Sequence, residues 1–493
     1  MHKKCKGAIF DQPMNNTSDI LILLDKLSTE VSFLREENRA LREENTLLRL
    51  RISELEESFN LNSKNSSKPP STDIVKQKPA FPKSGNKKQG GQHGHAGKTL
   101  QMVADPDHQE YLHAKHCTCG HSLEGVLSQV GEKRQVFNLP KAKFYVTQYN
   151  SMCSTCPDCG IKNKGTFPST VTGKVSYGAS VLGLTALLST GYAIPFDKIS
   201  QLTDDLFGHP INVSTLVSAN KVCYQELEPV EQSIKTAVES SKVVHLDETG
   251  CQVAGKRNWL HTGSTALLTY LYVSQKRGKE AIGGDKGVIQ FLKGWAIHDC
   301  YASYFSYDNC AHALCVTHLL RELQAQIDRG SLWATEMHAF LMDIYLKSDK
   351  GLGIVTDFEP YSLLFNQICS RADLEEQKPL PKTGKQRGKP KKSKSRNLLE
   401  RLVKHKDAVL AFAKNKEVPF TNNQAERDIR PCKVKQKISN SFRTTEGAKI
   451  YARIQGFIST LRKQGINIFE ALKDVFNGTF YAQWECKLNC VKG

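Results

Sequence analysis

Leu27, Leu34, Leu41, Leu48 and Leu55 recur every seven residues near the start of the chain. Taken as d positions, they put Leu24, Val31, Asn38, Asn45 and Ile52 at a. An apolar seam of this period winds helices around one another, and asparagines at a favour two parallel strands in one register. Glu30 with Arg35, Glu37 with Arg42, Glu44 with Arg49 and Arg51 with Glu56 then meet across the seam. The pattern predicts a leucine-zipper coiled coil over 15–61 that pairs two copies of the chain. The competing reading is one long helix folded back on its own chain.

From 62 to 100 the pattern collapses into Asn, Ser, Lys, Pro, Gly and Gln, a flexible basic linker with no apolar face to bury. Over 101–165, Arg134–Tyr149 alternates as strands do, with Asn138-Leu139-Pro140 at a turn. Residues 166–240 read as helical. Ala179–Leu188 is an apolar helix, and Pro195–Leu206, Gly208–Asn212 and Val213–Leu227 read as helix, turn and helix, capped by Asn212 or Ser214. That segment fits a helix-turn-helix DNA reader or ordinary helical packing. Beyond 241 short β-rich runs take over: Val243–Leu246 ending at Asp247, then Trp259–Thr262, Ala266–Val273, and Gly294–His298 ending at Asp299. An insertion of about 310–420 follows, with helices at Cys310–Ile327 and Leu332–Leu346. Residues 241–440 thus form an α/β domain, and 441–493 a helical segment with amphipathic Gly447–Phe476.

Charge adds a partner. The chain carries 68 Lys and Arg against 50 Asp and Glu, a net +18, which favours a polyanion, nucleic acid ahead of membrane. Part of the excess lies at Lys83–Lys88, and Lys382–Lys406 holds eleven basic residues and one acid, Glu400, as a backbone-contacting tract does. A membrane span needs about 20 apolar residues. The best run, Ala179–Ile194, is interrupted by Gly, Ser, Thr and Tyr, and Met1–Phe10 lacks the apolar core of a secretion signal. No membrane association is expected. Fifteen cysteines then read as metal ligands and buried thiols rather than disulfides.

Two constellations carry chemistry. Cys117 and Cys119 in HCTCG, with Cys156 and Cys159 in CPDCG, form two hooks joined by strands, the layout of a zinc ribbon holding one structural Zn²⁺. The second hook can alternatively use Cys153 and Cys156. Asp247 and Asp299, at the ends of separate strands, can meet in space, and Glu426 opens a helix capped near Asn422 or Asn423. Three converging carboxylates make a divalent-metal site for phosphoryl transfer, and hard oxygen ligands suit Mg²⁺ (or Mn²⁺). Arg427, Arg430, Lys433, Lys435 and Lys437 set positive charge beside it.

Over nearly its whole length the chain resembles the transposases of insertion-sequence family 66. The resemblance rests on the zipper, NSKNSSKPPSTD at 62–73, the cysteine block, HLDETG at 245–250, HDCYASY at 298–304, HALCVTHLLREL at 312–323, NNQAERDIRPCKVKQK at 422–437 and FRTTEGAKIYARIQGFISTLRKQG at 442–465. It implies a ribonuclease-H-like fold whose DDE triad falls on Asp247, Asp299 and Glu426. It also implies DNA (element ends and target) as substrate, strand cleavage followed by joining of the freed 3′ ends, accessory proteins of the same element, and a nucleoid-associated place in a bacterial cytoplasm. The family's histidine-arginine motif falls on His312, Cys315, His318, Arg321 and Glu322. His318, Arg321 and Arg443 join the basic residues after Glu426 as expected DNA contacts. Glu322 is the rival third carboxylate, and Cys310, His312, Cys315 and His318 form a lesser candidate metal set. Asn440 and Ser441 stand where relatives often have glycine, and Gln455 where arginine is common. Two other functions fit the motifs: a nuclease without strand transfer, and a DNA-binding regulator with an inactive catalytic domain.

Overall fold

The computed structural model describes residues 17–62, 65–66, 100–168, 170–171, 173–348, 357–376 and 392–484. Most of the predicted linker, with Lys83–Lys88, and residues 382–391 of the basic run lie outside the described residues. Two compact units result, Met1–Lys76 with His318–His338, and Gln77–Thr317 with Ala339–Gly493. Among the described residues no helix is long and apolar enough to cross a membrane.

In the first unit, α1 (Thr17–Asn60) is one helix of 44 residues, about 66 Å long at about 1.5 Å per residue. Leu27, Leu34, Leu41, Leu48 and Leu55 each leave about half of their surface exposed along it. Asn38 and Asn45 donate to the carbonyls of Leu34 and Leu41 at 2.9 and 3.0 Å. No coiled coil is formed within this single chain, and the seam lies open. Past the helix, Asn65 accepts from Asn62 N at 2.8 Å and donates to Asp328 at 3.1 Å, so part of the 62–73 motif serves to seat this turn.

The second unit begins with a thin region. Its regular structure is a hairpin of β1 (Cys153–Thr155) and β2 (Lys162–Lys164). Arg134–Tyr149 forms no strand, contrary to its alternation. The physical reason is that no neighbouring strand pairs with it: Val136, Leu139, Tyr145 and Val146 stay exposed. Gln135 exchanges two hydrogen bonds with the Val103 backbone, both at 2.8 Å, and Phe144 stacks on Phe207 at 4.8 Å. A zinc ribbon is therefore not formed as a unit.

The helices that follow lie close to the periodicity. After α2 (Ala179–Ala186), a π turn over Leu187–Gly191 leads to α3 (Phe196–Phe207), which ends on Gly208 at φ 65°. Next, α4 (Val213–Glu226) is capped by Asn212, whose side chain accepts from Ser214 N at 2.9 Å. Ile199, Ile211 and Leu216 make a small core between these two helices. The next helix, α5 (Glu228–Glu239), lies on the sheet.

The sheet has five strands: β3 (Val243–Val253), β4 (Lys256–Ser264), β5 (Thr269–Ser274), β6 (Trp295–His298) and β7 (Ala311–Leu314), in the order β5-β4-β3-β6-β7. A short α6 (Lys279–Ile282) precedes β6. The first three strands are antiparallel, while β6 and β7 run parallel to β3. This mixed α/β domain is consistent with a ribonuclease-H-like catalytic fold. Two strands depart from expectation. β3 does not end at Asp247 but runs six residues further, because β4 pairs with it throughout and Cys251 and Val253 are buried beneath the helical layer. β7 lies where a helix was expected from Cys310; four residues are too few for periodicity to separate strand from helix, and pairing to β6 decides the matter.

Helices α7 (Val316–Ile327), α8 (Leu332–Lys347), α9 (Glu359–Glu375), α10 (Lys394–Lys404), α11 (Lys406–Val409) and α12 (Ala411–Lys414) fill the insertion. Within the basic run, α10 is an amphipathic helix that buries Leu398, Leu399 and Leu402 and leaves Lys394 and Lys404 exposed. Its charges are engaged locally: Arg396 pairs with Asp373 at 2.5 Å and Glu400 at 3.2 Å, and Lys392 with Glu400 at 2.5 Å.

α13 (Asn423–Ser439), α14 (Thr445–Lys463) and α15 (Ile468–Phe476) complete the domain. α14 is buried around its whole circumference from Ile450 to Leu461, a core helix rather than a surface one. It approaches β5 so closely that a side chain at Gly456 would stand 3.1 Å from the Thr269 carbonyl. Gln455 is buried in it and contacts no solvent-borne phosphate, so its replacement of arginine changes the core. Asn440 has φ 57° with ψ −50°, a positive-φ conformation outside the left-handed helical region, which a side chain disfavours and glycine adopts more readily.

Candidate active site

Strand register brings the two aspartates together. β3 and β6 pair in parallel up to His245↔Ile297. Two residues further on in each strand stand Asp247 and Asp299, at one level and on one face. The parallel neighbour stops at His298, so β3 is flanked on that side by the loop that carries Asp299. Asp247 accepts from Glu248 N at 2.8 Å and Asp299 from Tyr301 N at 3.1 Å, which fixes both carboxylates. Burial, then the negative charges of Asp299 and Glu248, with a smaller push from Glu426, hold the Asp247 carboxyl well above the ordinary carboxylate range.

Glu426 is placed by the first turn of α13, which Asn422 ties to the sheet. The Asn422 side chain does not cap its helix. It pairs with His245 Nδ1 at 2.9 Å and donates to the Leu246 carbonyl at 2.8 Å, while its backbone N–H meets Cys315 Sγ at 3.1 Å. One buried amide thus joins the helix of Glu426 to the strand of Asp247. A Glu426 carboxylate oxygen lies within 4.8 Å of Cys315 Sγ. The carboxylates of Asp247, Asp299 and Glu426 are not all within that distance of one another. A second tie holds α13 from below: Asp428 takes Lys463 at 2.7 Å, Ser459 at 3.0 Å, Thr269 at 3.2 Å and the Ser264 hydroxyl.

The loop of Asp299 is held by a chain of two histidines. His312 Nε2 donates to the Tyr307 carbonyl at 2.7 Å, so its Nδ1 accepts from His298 Nε2 at 3.1 Å. His298 Nδ1 in turn accepts from Cys300 N at 3.2 Å. Cys300 has φ 74°, a strained conformation for a residue with a side chain. Burial, then the charges of His312 and His405, holds His298 well below its ordinary value, as this chain requires. Both ring nitrogens of His312 are thus engaged in hydrogen bonds.

Glu248 belongs beside the acids, although the motif reading overlooked it. It is buried and accepts from Arg277 Nε at 2.7 Å and Tyr304 OH at 2.5 Å. Burial pushes its carboxyl up, and the Tyr304 hydroxyl partly offsets this. The acidic pair in HLDETG was its only signal in the sequence, whereas Arg277 and Tyr304 had none.

Of the expected DNA contacts, Arg427, Arg430, Lys433 and Arg443 are exposed, and Lys433 also donates to the Gly250 carbonyl at 3.1 Å. Lys435 turns inward onto the Ser189 carbonyl at 3.3 Å, and burial lowers its pKa. His318, Arg321 and Glu322 belong to the first compact unit, where they lie half-buried on α7.

Each cysteine hook closes on a left-handed glycine. Gly120 N donates to the Cys117 carbonyl and Cys117 N to His121, both at 2.8 Å; Gly160 N donates to Cys156 and Cys156 N to Ile161, both at 2.9 Å. Hydrogen bonds from Cys119 to Cys117 and from Cys159 to Cys156 lower the pKa of each first thiol. Cys153 sits on β1, whereas Cys156 and Cys159 share the turn that Gly160 closes. No three of Cys117, Cys119, Cys156 and Cys159 lie within 4.8 Å of one another.

A mixed sheet that presents clustered acids beside a basic helix defines a nucleic-acid enzyme of the phosphoryl-transfer class. The model described as "Transposase IS66 family" matches residues 174–450, more than half of the chain. The chain belongs to the IS66 transposase family, enzymes of the DDE type, which implies DNA as its partner. A second model, a family of unknown function (DUF6444), matches residues 16–101. No curated protein matches the chain.

Proposed function

We infer that the chain cuts the ends of an insertion sequence and transfers the freed 3′ ends to target DNA, through a DDE triad of Asp247, Asp299 and Glu426 in a ribonuclease-H-like domain. The observation that carries this reading is the juxtaposition of Asp247 and Asp299 by strand register, under the helix that bears Glu426. The donor set suits a hard divalent cation: oxygen ligands only, with burial and then mutual repulsion holding the Asp247 carboxyl above its ordinary range. Mg²⁺ or Mn²⁺, when bound, supplies Lewis-acid stabilisation of the attacking and leaving oxygens. Asp247 and Asp299 are its fixed holders. Glu426, on a side chain with three rotatable bonds, completes the set.

The remaining residues orient the strand. Arg427, Arg430 and Lys433 on α13, with Arg443 beyond its end, hold phosphates, and His318 and Arg321 are DNA contacts of the first unit. Hydrolysis breaks a phosphodiester and leaves a 3′-hydroxyl; that hydroxyl then attacks a target phosphodiester and displaces its 3′ oxygen. The cysteine hooks hold one structural Zn²⁺, α3 and α4 read DNA, and α1 pairs two chains through its leucine seam, all in the nucleoid of a bacterial cytoplasm. Purified protein given Mg²⁺ and element-end DNA is expected to nick it and join the 3′ end to a second duplex. Nicking without joining would leave a nuclease instead. Sedimentation of the full chain should give a dimer that L34K/L41K splits.

A further inference from the structure

We propose that Arg257, Trp259, Arg277 and Tyr301 form a stacked ladder that seats an unstacked nucleotide of the cut strand beside the loop that carries Asp299, on the sheet face opposite Asp247. The proposal deepens the DNA-cutting reading and rests on it for the identity of the strand. Arg257 and Trp259 are two apart on β4 and so share one face. The Arg257 guanidinium lies 4.8 Å from the Trp259 ring centre. From the loop after β5, Arg277 comes to 4.9 Å from the same ring and 4.1 Å from the Tyr301 ring. Tyr301 N is bonded to Asp299, so the last rung touches the catalytic loop.

Two features separate this ladder from an incidental surface stack. First, its inner cation is anchored: Glu248 holds Arg277 through Nε, and Tyr304 holds Glu248. The outer cation is not neutralised, since no carboxylate pairs with Arg257 among the described residues. Two guanidinium groups about one indole ring repel each other, and an anion beside them relieves that repulsion. Second, a seat is kept clear for the outer cation. Gly250 lies opposite Trp259 in the β3–β4 register, and a Cβ there would stand 3.2 Å from Arg257 Nε. A phosphate on the Arg257 fork, with its base against the planar rungs, fits this chemistry, because guanidinium and aromatic planes accept any unstacked base. A paired duplex offers no such free face. The ladder therefore favours a single-stranded stretch, the form a strand takes where it opens for cutting.

The test measures binding of the full chain to a short single-stranded oligothymidine and to a blunt duplex at one salt concentration. R257Q, W259L and G250A should each weaken single-strand binding by about five-fold or more, with duplex binding unchanged within about two-fold and the melting transition retained. W259F, which keeps a ring in place, should bind nearly as the parent does. Equal losses on both DNAs would reduce the ladder to a general basic patch, and unchanged single-strand binding in all three variants would remove it. Parent protein that cannot cut element ends, yet loses single-strand binding in R257Q, would instead overturn the transposase reading and keep the ladder.

Discussion

Residues 101–168 and the five-stranded sheet each carry one of the proposed metal-ligand sets, and they are built in opposite ways. In the sheet, ligands more than fifty residues apart are brought together by strand register, and their spacing in sequence plays no part in the geometry. In the cysteine region each pair is shaped by its own turn, and nothing between the hooks aligns the two pairs. The electrostatics differ in the same sense. Burial and like charge raise Asp247, so the sheet holds carboxylates in a place that disfavours their charge. Local hydrogen bonds lower Cys117 and Cys156, so each hook favours its thiolate in the open. A site supported by the core is fixed before any ligand arrives; a site made of two local turns is joined by the ligand that bridges them.

The largest effect expected from this contrast is at the acids. D247N and D299N keep shape and remove charge, and each should lower strand cleavage on the order of 10³-fold or more while DNA binding persists. E426Q should do the same, and E322Q should not. Full cleavage by E426Q with loss in E322Q would falsify the triad and move its third member to α7.

How far the sequence reached depended on the distance over which each feature is determined. The strand that stops just before Asp299 and the start of α13 left local marks in the sequence, whereas Asp247 was assigned to a strand end that β3 does not have. The extension of β3 through Glu248-Thr249-Gly250 was not legible, since Glu248 and Gly250 favour strands poorly and pairing with β4 holds them extended. The same limit hid the second duty of Asn422. It was legible as a cap, yet its side chain serves β3, 177 residues away at His245. Arg277 and Tyr304 acquire meaning only through Glu248, a partner that no spacing reveals. In the cysteine region the error ran the other way: alternation over Arg134–Tyr149 looked like strands, but a strand needs a neighbour, and none is supplied.

Acid should separate the sheet from the hooks at the next level. His261, buried on β4 against Tyr272, falls from its ordinary 6.5 to about 4 through burial. Its lowered pKa means the unfolded chain binds a proton that the folded one refuses. The stability it contributes is present above about pH 6.5 and is lost as the pH falls towards 4, to a total of about 3 kcal/mol. His298 and His245, also lowered chiefly by burial, act in the same direction. Urea unfolding from pH 7 to 4 should therefore fall more steeply in the parent than in H261F, and parallel curves would contradict the assignment. N422A comes next. Removing both side-chain bonds between α13 and β3 should cost about 2 kcal/mol and lower cleavage at saturating DNA, because Glu426 loses its fixed footing.

The smallest effect on the sheet should come from the cysteines, and it bears most directly on the comparison. If the two hooks are local turns joined by a metal, the purified, reduced chain should contain about one zinc, and C156S/C159S should lose it. The sheet's melting transition should not move with that loss, because no residue of either hook belongs to the cores on its two faces. What should change is the hook region itself, as faster proteolysis within 101–168. A folded, reduced chain with no zinc would remove the metal. A melting transition that drops along with the zinc would show instead that the hooks help to hold the core, and the division between a site fixed by register and a site joined by its ligand would not stand.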